Sequence, residues 1–153
     1  MDDPVVILDQ VKACLDRWAI DVGDITLASQ SENIVYRVTT STGAQYAFRI
    51  HRPGYHSFEE LVSEHEWTDA LIKAGFPLPN AIPTVDGEFY VPVKVNGGTR
   101  YAGLIEWIEG ESLQALIQEN STTEFLCSAL EKVGQLMAKL HEHSIQWQHG
   151  ENF

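Results

Sequence analysis

The sequence predicts an α+β fold: an antiparallel five-stranded sheet with one packed helix, plus an N-terminal helix and C-terminal helices. Three observations lead to this class. Apolar residues alternate with a period of two between residues 34 and 50, a helix with clear start and stop signals spans residues 57–75, and helical spacing returns after Gly110.

The first predicted element is an N-terminal helix. Asp3 is a suitable N-cap, and Pro4 suits the first helical position. The residues that follow at spacings of three and four form one apolar stripe: Leu8, Val11, Leu15 and Trp18.

Strand patterns begin at Asp24, and an antiparallel hairpin is the clearest of them. Its apolar residues alternate on both sides of a Ser-Thr-Gly turn at residues 41–43, and they are Ile34, Tyr36, Val38, Tyr46, Phe48 and Ile50. The helix that follows has a capping box formed by Ser57 and Glu60. It stops at Gly75, with Pro77 just beyond.

Further strands and two helices complete the sequence. Asp86-Gly87 and Asn96-Gly97-Gly98 indicate hairpin turns, and residues 101–108 form the last strong strand. A short helix is predicted from Ser112 to Gln118, and a longer one begins at a second capping box, Ser121 to Glu124. The apolar stripe of the longer helix is Leu126, Ala129, Leu130, Val133, Leu136, Met137 and Leu140.

The composition excludes several classes of protein. With 44% hydrophobic and 21% charged residues, the 153-residue chain is globular rather than disordered. No apolar run is long enough to cross a bilayer, and no signal peptide is recognised. Cys14 and Cys127 are isolated, so we interpret both as thiols in a reducing compartment and expect a cytoplasmic location.

The formal net charge of −12 limits the partners of the chain. Such a surface repels nucleic acid and anionic lipid, so neither is expected to bind. It also opposes phosphate binding, unless a local site supplies positive charge or backbone N–H donors. No zinc motif is found, and no metal-binding residue is expected in the chain.

Arg49 is the first candidate for such a local site. Because side chains alternate along a strand, Ala47 and Arg49 point away from Tyr46, Phe48 and Ile50. A small residue beside a long cationic side chain leaves room for a flat ligand and places a positive charge at one end of that ligand. On the strand pattern alone, a cation on a solvated strand face is the favoured interpretation, since strand faces are commonly wet.

Glu64 is the second candidate. It shares the inward stripe of its helix with Leu61, Thr68 and Leu71, where a carboxylate is costly without a partner. An inward carboxylate and an outward cation on the neighbouring strand can satisfy each other. The alternative is that Glu64 lies at the edge of the stripe and reaches water.

Four segments between about Ser29 and His143 resemble segments of the aminoglycoside phosphotransferase family, and they occur in the same order as in that family. The segment EHEWTDALIKAGFPLP carries the family's helix and turn residues Glu64, Leu71, Gly75, Pro77 and Pro79. ENIVYRVTTSTGAQYAFRIHRPG is similar to its first hairpin, YAGLIEWIEGESL to the hinge that receives adenine, and VGQLMAKLHEHS to the helix that opens its large lobe.

The resemblance implies two regions and two charged site residues. Residues 1–108 correspond to a kinase-like small lobe that binds ATP, and residues 109–153 to the hinge exit and the first helices of the large lobe. Arg49 would hold the α- and β-phosphates, and Glu64 would fix its position through an ion pair. The family most often has Lys at this strand position. Because Arg also binds phosphate, we expect this replacement to affect the rate of phosphoryl transfer rather than the binding of the nucleotide.

The resemblance also assigns the rest of the nucleotide slot. Its residues are Asn33, Val35, Ala47, Ile105, Glu106 and Ile108. Residues 29–33 would cover the phosphates, adenine would lie against Val35 and Ala47, and Ile105 would close the back. The backbone C=O of Glu106 and N–H of Ile108 would pair with the adenine edge. A plain β-turn and an ordinary core strand are the alternatives for the loop and the isoleucines.

No catalytic residue is expected in this sequence. In the family, the aspartate that orients the attacking hydroxyl and the Mg²⁺ ligands come from a His-Gly-Asp motif and later residues of the large lobe. The tail HGENF has Glu151 in place of that aspartate and lies too close to the preceding helix, so we interpret it as coincidence. We therefore expect a truncated chain that is inactive alone.

The resemblance thus implies an ATP- and Mg²⁺-dependent kinase that transfers the γ-phosphate of ATP to an unidentified hydroxyl acceptor. The alternative is a non-catalytic module derived from a kinase lobe, which would bind a partner protein or form a homodimer through exposed apolar surface. A His-Gly-Asp motif encoded beyond Phe153 would distinguish the kinase from the module.

Overall fold

The computed structural model describes residues 7–148, and its elements follow the predicted order. They are α1 (Leu8–Leu15), β1 (Val22–Gln30), β2 (Ile34–Thr40), β3 (Gln45–Ile50), α2 (Phe58–Lys73), β4 (Ala81–Ile82), β5 (Tyr90–Val95), β6 (Gly98–Glu106), α3 (Leu113–Glu119) and α4 (Thr123–Gln146). The chain divides into two compact units, of which the first runs to Trp107 and the second begins at Ile108.

The six strands form one antiparallel sheet in the order β1-β2-β3-β6-β4, with β5 also paired to β6. The α+β class is therefore confirmed, with six strands in the described chain instead of the five predicted. The additional strand is β4, whose two residues are too few to show a period in the sequence. Gly103 pairs with β3 on one side and β5 on the other, so β6 is the central strand of this region.

One face of the sheet carries the hydrophobic core, and α1 packs on it. Phe48 is fully buried there and meets the Trp18 ring edge-on, with 5.9 Å between centroids. The core also contains Val11 and Leu15 from α1. Both the N-terminal helix and the helix predicted to pack on the sheet are present: α1 covers this core face, while α2 contacts the opposite face through a ring pair between Phe58 and Tyr101.

The N-terminal helix differs in extent from its prediction. The predicted cap at Asp3 and Pro4 lies outside the described residues, and α1 already ends at Leu15. Trp18 therefore lies beyond the helix on whose stripe it was placed. It is nevertheless 2% exposed, because its indole N–H donates a 2.7 Å hydrogen bond to the Ile82 carbonyl and the ring completes the core.

The start and stop signals of α2 act as predicted. The Ser57 hydroxyl accepts from the Glu60 N–H at 3.2 Å, and the Glu60 carboxylate accepts from the Ser57 N–H at 2.7 Å. Gly75 follows the helix with a φ of +89°, a conformation that glycine adopts without strain. These caps fix the helix that carries Glu64, while buried Leu61 and Leu71 anchor it.

The second unit contains α3 and α4. Ser112 caps α3, close to the prediction, but α4 is capped by Thr122 rather than Ser121. The reason is local: the Thr122 hydroxyl accepts from the Phe125 N–H at 3.3 Å, which moves the cap by one residue. The apolar residues of α4 include Leu130 and Met137, which are 63% and 51% exposed. No helix within residues 7–148 is both long and apolar enough to cross a membrane.

Candidate functional site

The face of the sheet opposite the core, here called the front face, carries the predicted strand residues. Arg49 pairs in register with Val35 of β2 and with Gly103 of β6. Ala47 pairs with Ile105 on β6. Because side chains alternate along β3, Ala47 and Arg49 point away from the buried ring of Phe48. Arg37 of β2 pairs with Ala47, so the register places two cations, Arg37 and Arg49, beside this apolar residue. The Arg37 guanidinium lies over the Trp107 ring, 5.5 Å from its centroid.

The structure brings Arg49 and Glu64 together. Arg49 Nη1 lies 3.8 Å from Glu64 Oε1, and the two side chains are 38% and 41% exposed. Glu64 is thus half-exposed rather than turned into the core, so the alternative that it reaches water is partly correct. A pair of this exposure contributes little to stability. One loose ion pair leaves most of the five guanidinium N–H donors of Arg49 available to an anion.

The apolar part of the front face lies directly beside this pair. Ala47 is 8% exposed, and Val35 and Ile105 are half-buried. Val35 and Ala47 occupy diagonal positions on adjacent strands, since Val35 pairs with Arg49 two residues farther along β3. The small Ala47 side chain keeps this patch flat, as a planar ligand requires.

Glu106 ends β6, and its side chain is already in use. The carboxylate accepts from the Asn80 backbone N–H at 3.0 Å and from Asn80 Nδ2 at 2.7 Å. The Glu106 N–H in turn donates to the Asn80 carbonyl at 2.9 Å. These contacts fix the backbone at the end of the strand. Ile108 belongs to the second unit and is 57% exposed.

The turn between β1 and β2 is shorter than the loop predicted at residues 29–33. Residues 29 and 30 belong to β1, so only residues 31–33 form the turn. The Asn33 carboxamide oxygen accepts from the Arg52 N–H at 3.0 Å, and the Arg52 guanidinium forms an ion pair with Glu32. The Asn33 side chain therefore holds the turn against the segment after β3, and its oxygen is occupied by a protein group.

Two front-face residues, His51 and Tyr90, were not identified from the sequence. Their rings meet edge-on with 5.5 Å between centroids, and His51 is only 5% exposed. Burial lowers the pKa of His51 to about 4, and the charges of Arg49 and His56 act in the same direction. His51 lies two residues after Arg49, so the alternation along the strand already indicated in the sequence that it shares the face of Ala47 and Arg49. The position of Tyr90 depends on strand pairing, which the sequence does not show.

The buried imidazole of His51 predicts a loss of stability in mild acid. In the unfolded chain its pKa returns to about 6.5, so between pH 6.5 and 4 the unfolded state binds more protons and stability falls as the pH is lowered. From pH 7 to pH 5 this group removes about 2 kcal/mol of unfolding free energy. Urea denaturation at both pH values should show this loss in the parent and a smaller one in His51→Gln. The exposed-site variant His141→Gln should keep the parent's difference. Equal pH dependence in parent and His51→Gln would contradict the assignment.

Metal ligands do not cluster in the described chain. Within residues 7–148, no group of three or more His, Cys, Asp or Glu side chains is placed to hold a metal ion. Groups on the front face that suit an anionic ligand include the guanidinium of Arg49 and backbone N–H donors. The exposed Arg37 shares this face, but its guanidinium lies over the Trp107 ring.

Solved structures of similar fold include two kinases. A microcompartment-associated aminopropanol kinase superposes with a TM-score of 0.75 and 28% identity, covering 95% of this chain and 42% of the enzyme. An amicoumacin kinase in complex with AMP-PNP, Ca²⁺ and Ami superposes with a TM-score of 0.59 and 19% identity, covering 72% of this chain and 33% of that enzyme. No family model and no curated protein sequence matches the chain. The chain thus spans less than half the length of either kinase.

Proposed function

The chain belongs to the aminoglycoside-phosphotransferase-like kinases, and we propose that its first unit binds the adenine nucleotide of a phosphotransferase. The observation that carries this proposal is the ion pair between Arg49 and Glu64 beside the small residue Ala47, on the face of the sheet opposite the core. Both side chains are partly exposed, so a ligand can reach them.

Arg49 is proposed to bind the α- and β-phosphates. In a chain with a net charge of −12, a phosphate needs a local cation, and Arg49 supplies it on the front face. Glu64 limits the directions in which the guanidinium can point, and it is held by a capped helix that is anchored through Leu61 and Leu71. The pair is therefore a positioned anion site rather than a stabilising salt bridge.

The adenine ring is proposed to lie against Val35 and Ala47, with Ile105 behind it. Flat apolar surface favours a planar base. The backbone C=O of Glu106 is proposed as its first hydrogen-bonding contact, since the Glu106 N–H and carboxylate are both engaged by Asn80. The role of the Ile108 N–H as a second contact to the base stays a prediction. ATP would supply the phosphoryl group, with Mg²⁺ as its counter-ion.

The acceptor is proposed to be a small hydroxyl compound that carries an amino group. The similar structure that covers 95% of this chain is an aminopropanol kinase, and a net charge of −12 attracts cations. Catalytic and metal-binding groups are not assigned to residues of this chain. Homodimer formation stays a prediction, and so does the role of the chain as an interaction module.

A nucleotide titration tests the proposal. Calorimetry and thermal shift with MgATP should show binding, and at a concentration of 100 times Kd the ligand should stabilise the protein by about 2.7 kcal/mol. Adenosine should bind more weakly because it lacks the groups that Arg49 contacts. If MgATP causes neither heat nor stabilisation up to about 10 mM, tenfold above the usual range of KM, the function proposed here is wrong.

A further inference from the structure

Three residues lie side by side across the front face, on one rung of the sheet. Gly103 of β6 pairs in register with Arg49 on one side and with Tyr90 on the other. Glu64 reaches this rung from α2 and lies 3.8 Å from the Arg49 guanidinium. The proposed phosphate-binding cation is therefore two strands away from an aromatic residue, with a glycine between them.

Gly103 leaves the space that the Tyr90 ring uses. A Cβ atom at this position would lie 3.2 Å from both Cδ1 and Cε1 of Tyr90 and 3.0 Å from the Phe89 carbonyl oxygen. Such contacts are tighter than ordinary packing allows. The Tyr90 ring thus lies over Gly103, and any larger residue at this position would have to displace the ring or the Phe89 carbonyl.

The surroundings of the ring show that it lies within the field of the ion pair. Burial raises the pKa of the Tyr90 phenol to about 12; the Glu64 carboxylate adds to this effect, and the Arg49 charge opposes it. The ring also meets His51, which is 5% exposed. Among residues 7–148, no group forms a hydrogen bond with His51 Nδ1. Tyr90 and His51 are therefore two packed rings on the same face as Arg49. Tyr90 lies across Gly103 from it, and His51 lies two residues farther along the chain.

We propose that Tyr90, seated on Gly103 and backed by His51, is a positioning residue that confines the Arg49 guanidinium to the side where Glu64 and the nucleotide phosphates meet it. This inference rests on the nucleotide function proposed above. A long, flexible cation loses conformational freedom when it binds an anion, and a wall that already restricts its rotamers lowers that cost. Tyr90 acts through its ring, so its hydroxyl is not required.

The test compares a nucleotide that has phosphates with one that has none. In Tyr90→Ala, the Kd for MgATP should rise roughly 2- to 10-fold, while the Kd for adenosine stays unchanged. Tyr90→Phe should keep the parent's affinity for both. Gly103→Ala, which displaces the ring, should resemble Tyr90→Ala. Tyr90→Leu gives the same readout if Tyr90→Ala does not fold.

Tyr101→Ala is the matched control, because Tyr101 is also a half-buried tyrosine on this face but packs on Phe58, with 5.2 Å between ring centroids. Tyr101→Ala should leave the ratio of the Kd for MgATP to the Kd for adenosine unchanged. The inference is overturned if Tyr90→Ala weakens both ligands equally or neither, while Arg49→Ala still weakens MgATP. If Arg49→Ala has no effect on MgATP, the nucleotide function itself fails.

Discussion

Replacing Arg49 with alanine is expected to weaken MgATP binding by about 10- to 100-fold, which is the largest change in ligand affinity that this site predicts. A hydrogen bond to a charged group contributes about 1.5–3 kcal/mol, and each 1.4 kcal/mol corresponds to a factor of ten in Kd. Arg49 lies beside the apolar patch and is paired with Glu64 at 3.8 Å, which leaves part of its donors unused. Calorimetry of the parent and the variant measures the ratio directly.

Arg17→Ala provides the control for net charge. Arg17 is exposed to a similar degree, 35%, and pairs with Glu88 at 2.5 Å and with Asp86 at 3.6 Å. Its removal changes the charge of the chain by the same amount, so long-range repulsion of the nucleotide rises equally. We expect at most a small change in Kd for Arg17→Ala. If both variants lose affinity to the same extent, Arg49 acts through overall charge and not through contact with phosphate.

Phe48→Ala is expected to produce the largest loss of stability, about 3–5 kcal/mol, because it leaves a cavity in a core that cannot close around it. The ring is fully buried and meets Trp18 edge-on at 5.9 Å. The unfolding free energy of a typical domain is only about 5–15 kcal/mol in total, so this loss is a large share of it. Urea denaturation of the parent and the variant gives this difference.

Phe58→Ala removes the same atoms from the front face and serves as the matched control. Phe58 is 40% exposed and packs on Tyr101, so its loss should cost far less than that of Phe48. Similar losses in the two variants would show that the packing of α1 against the sheet does not dominate the stability of this unit. Because Phe48 lies between Ala47 and Arg49 on β3, its packing also holds the strand that carries the proposed site.

Local patterns in the sequence were sufficient for most of the elements. The alternation around residues 34–50 predicted β2 and β3, and the capping box at Ser57 predicted α2, since both signals depend on residues close together in the chain. The same alternation put Ala47 and Arg49 on one face, and the helical period put Glu64 on the side of α2 that meets it. The functional roles of these residues stay predictions until the nucleotide is titrated.

The sequence by itself therefore determined the order of helices and strands, and which residues share a face. Only the tertiary structure decided what those faces meet: that α1 covers the core face, that two residues near Ile82 form a strand, that Asn80 holds Glu106, and that Tyr90 lies beside Arg49 across Gly103. The physical reason is that a period of 2 or 3.6 residues reports local geometry, whereas strand register and contacts between distant segments arise when the whole core packs.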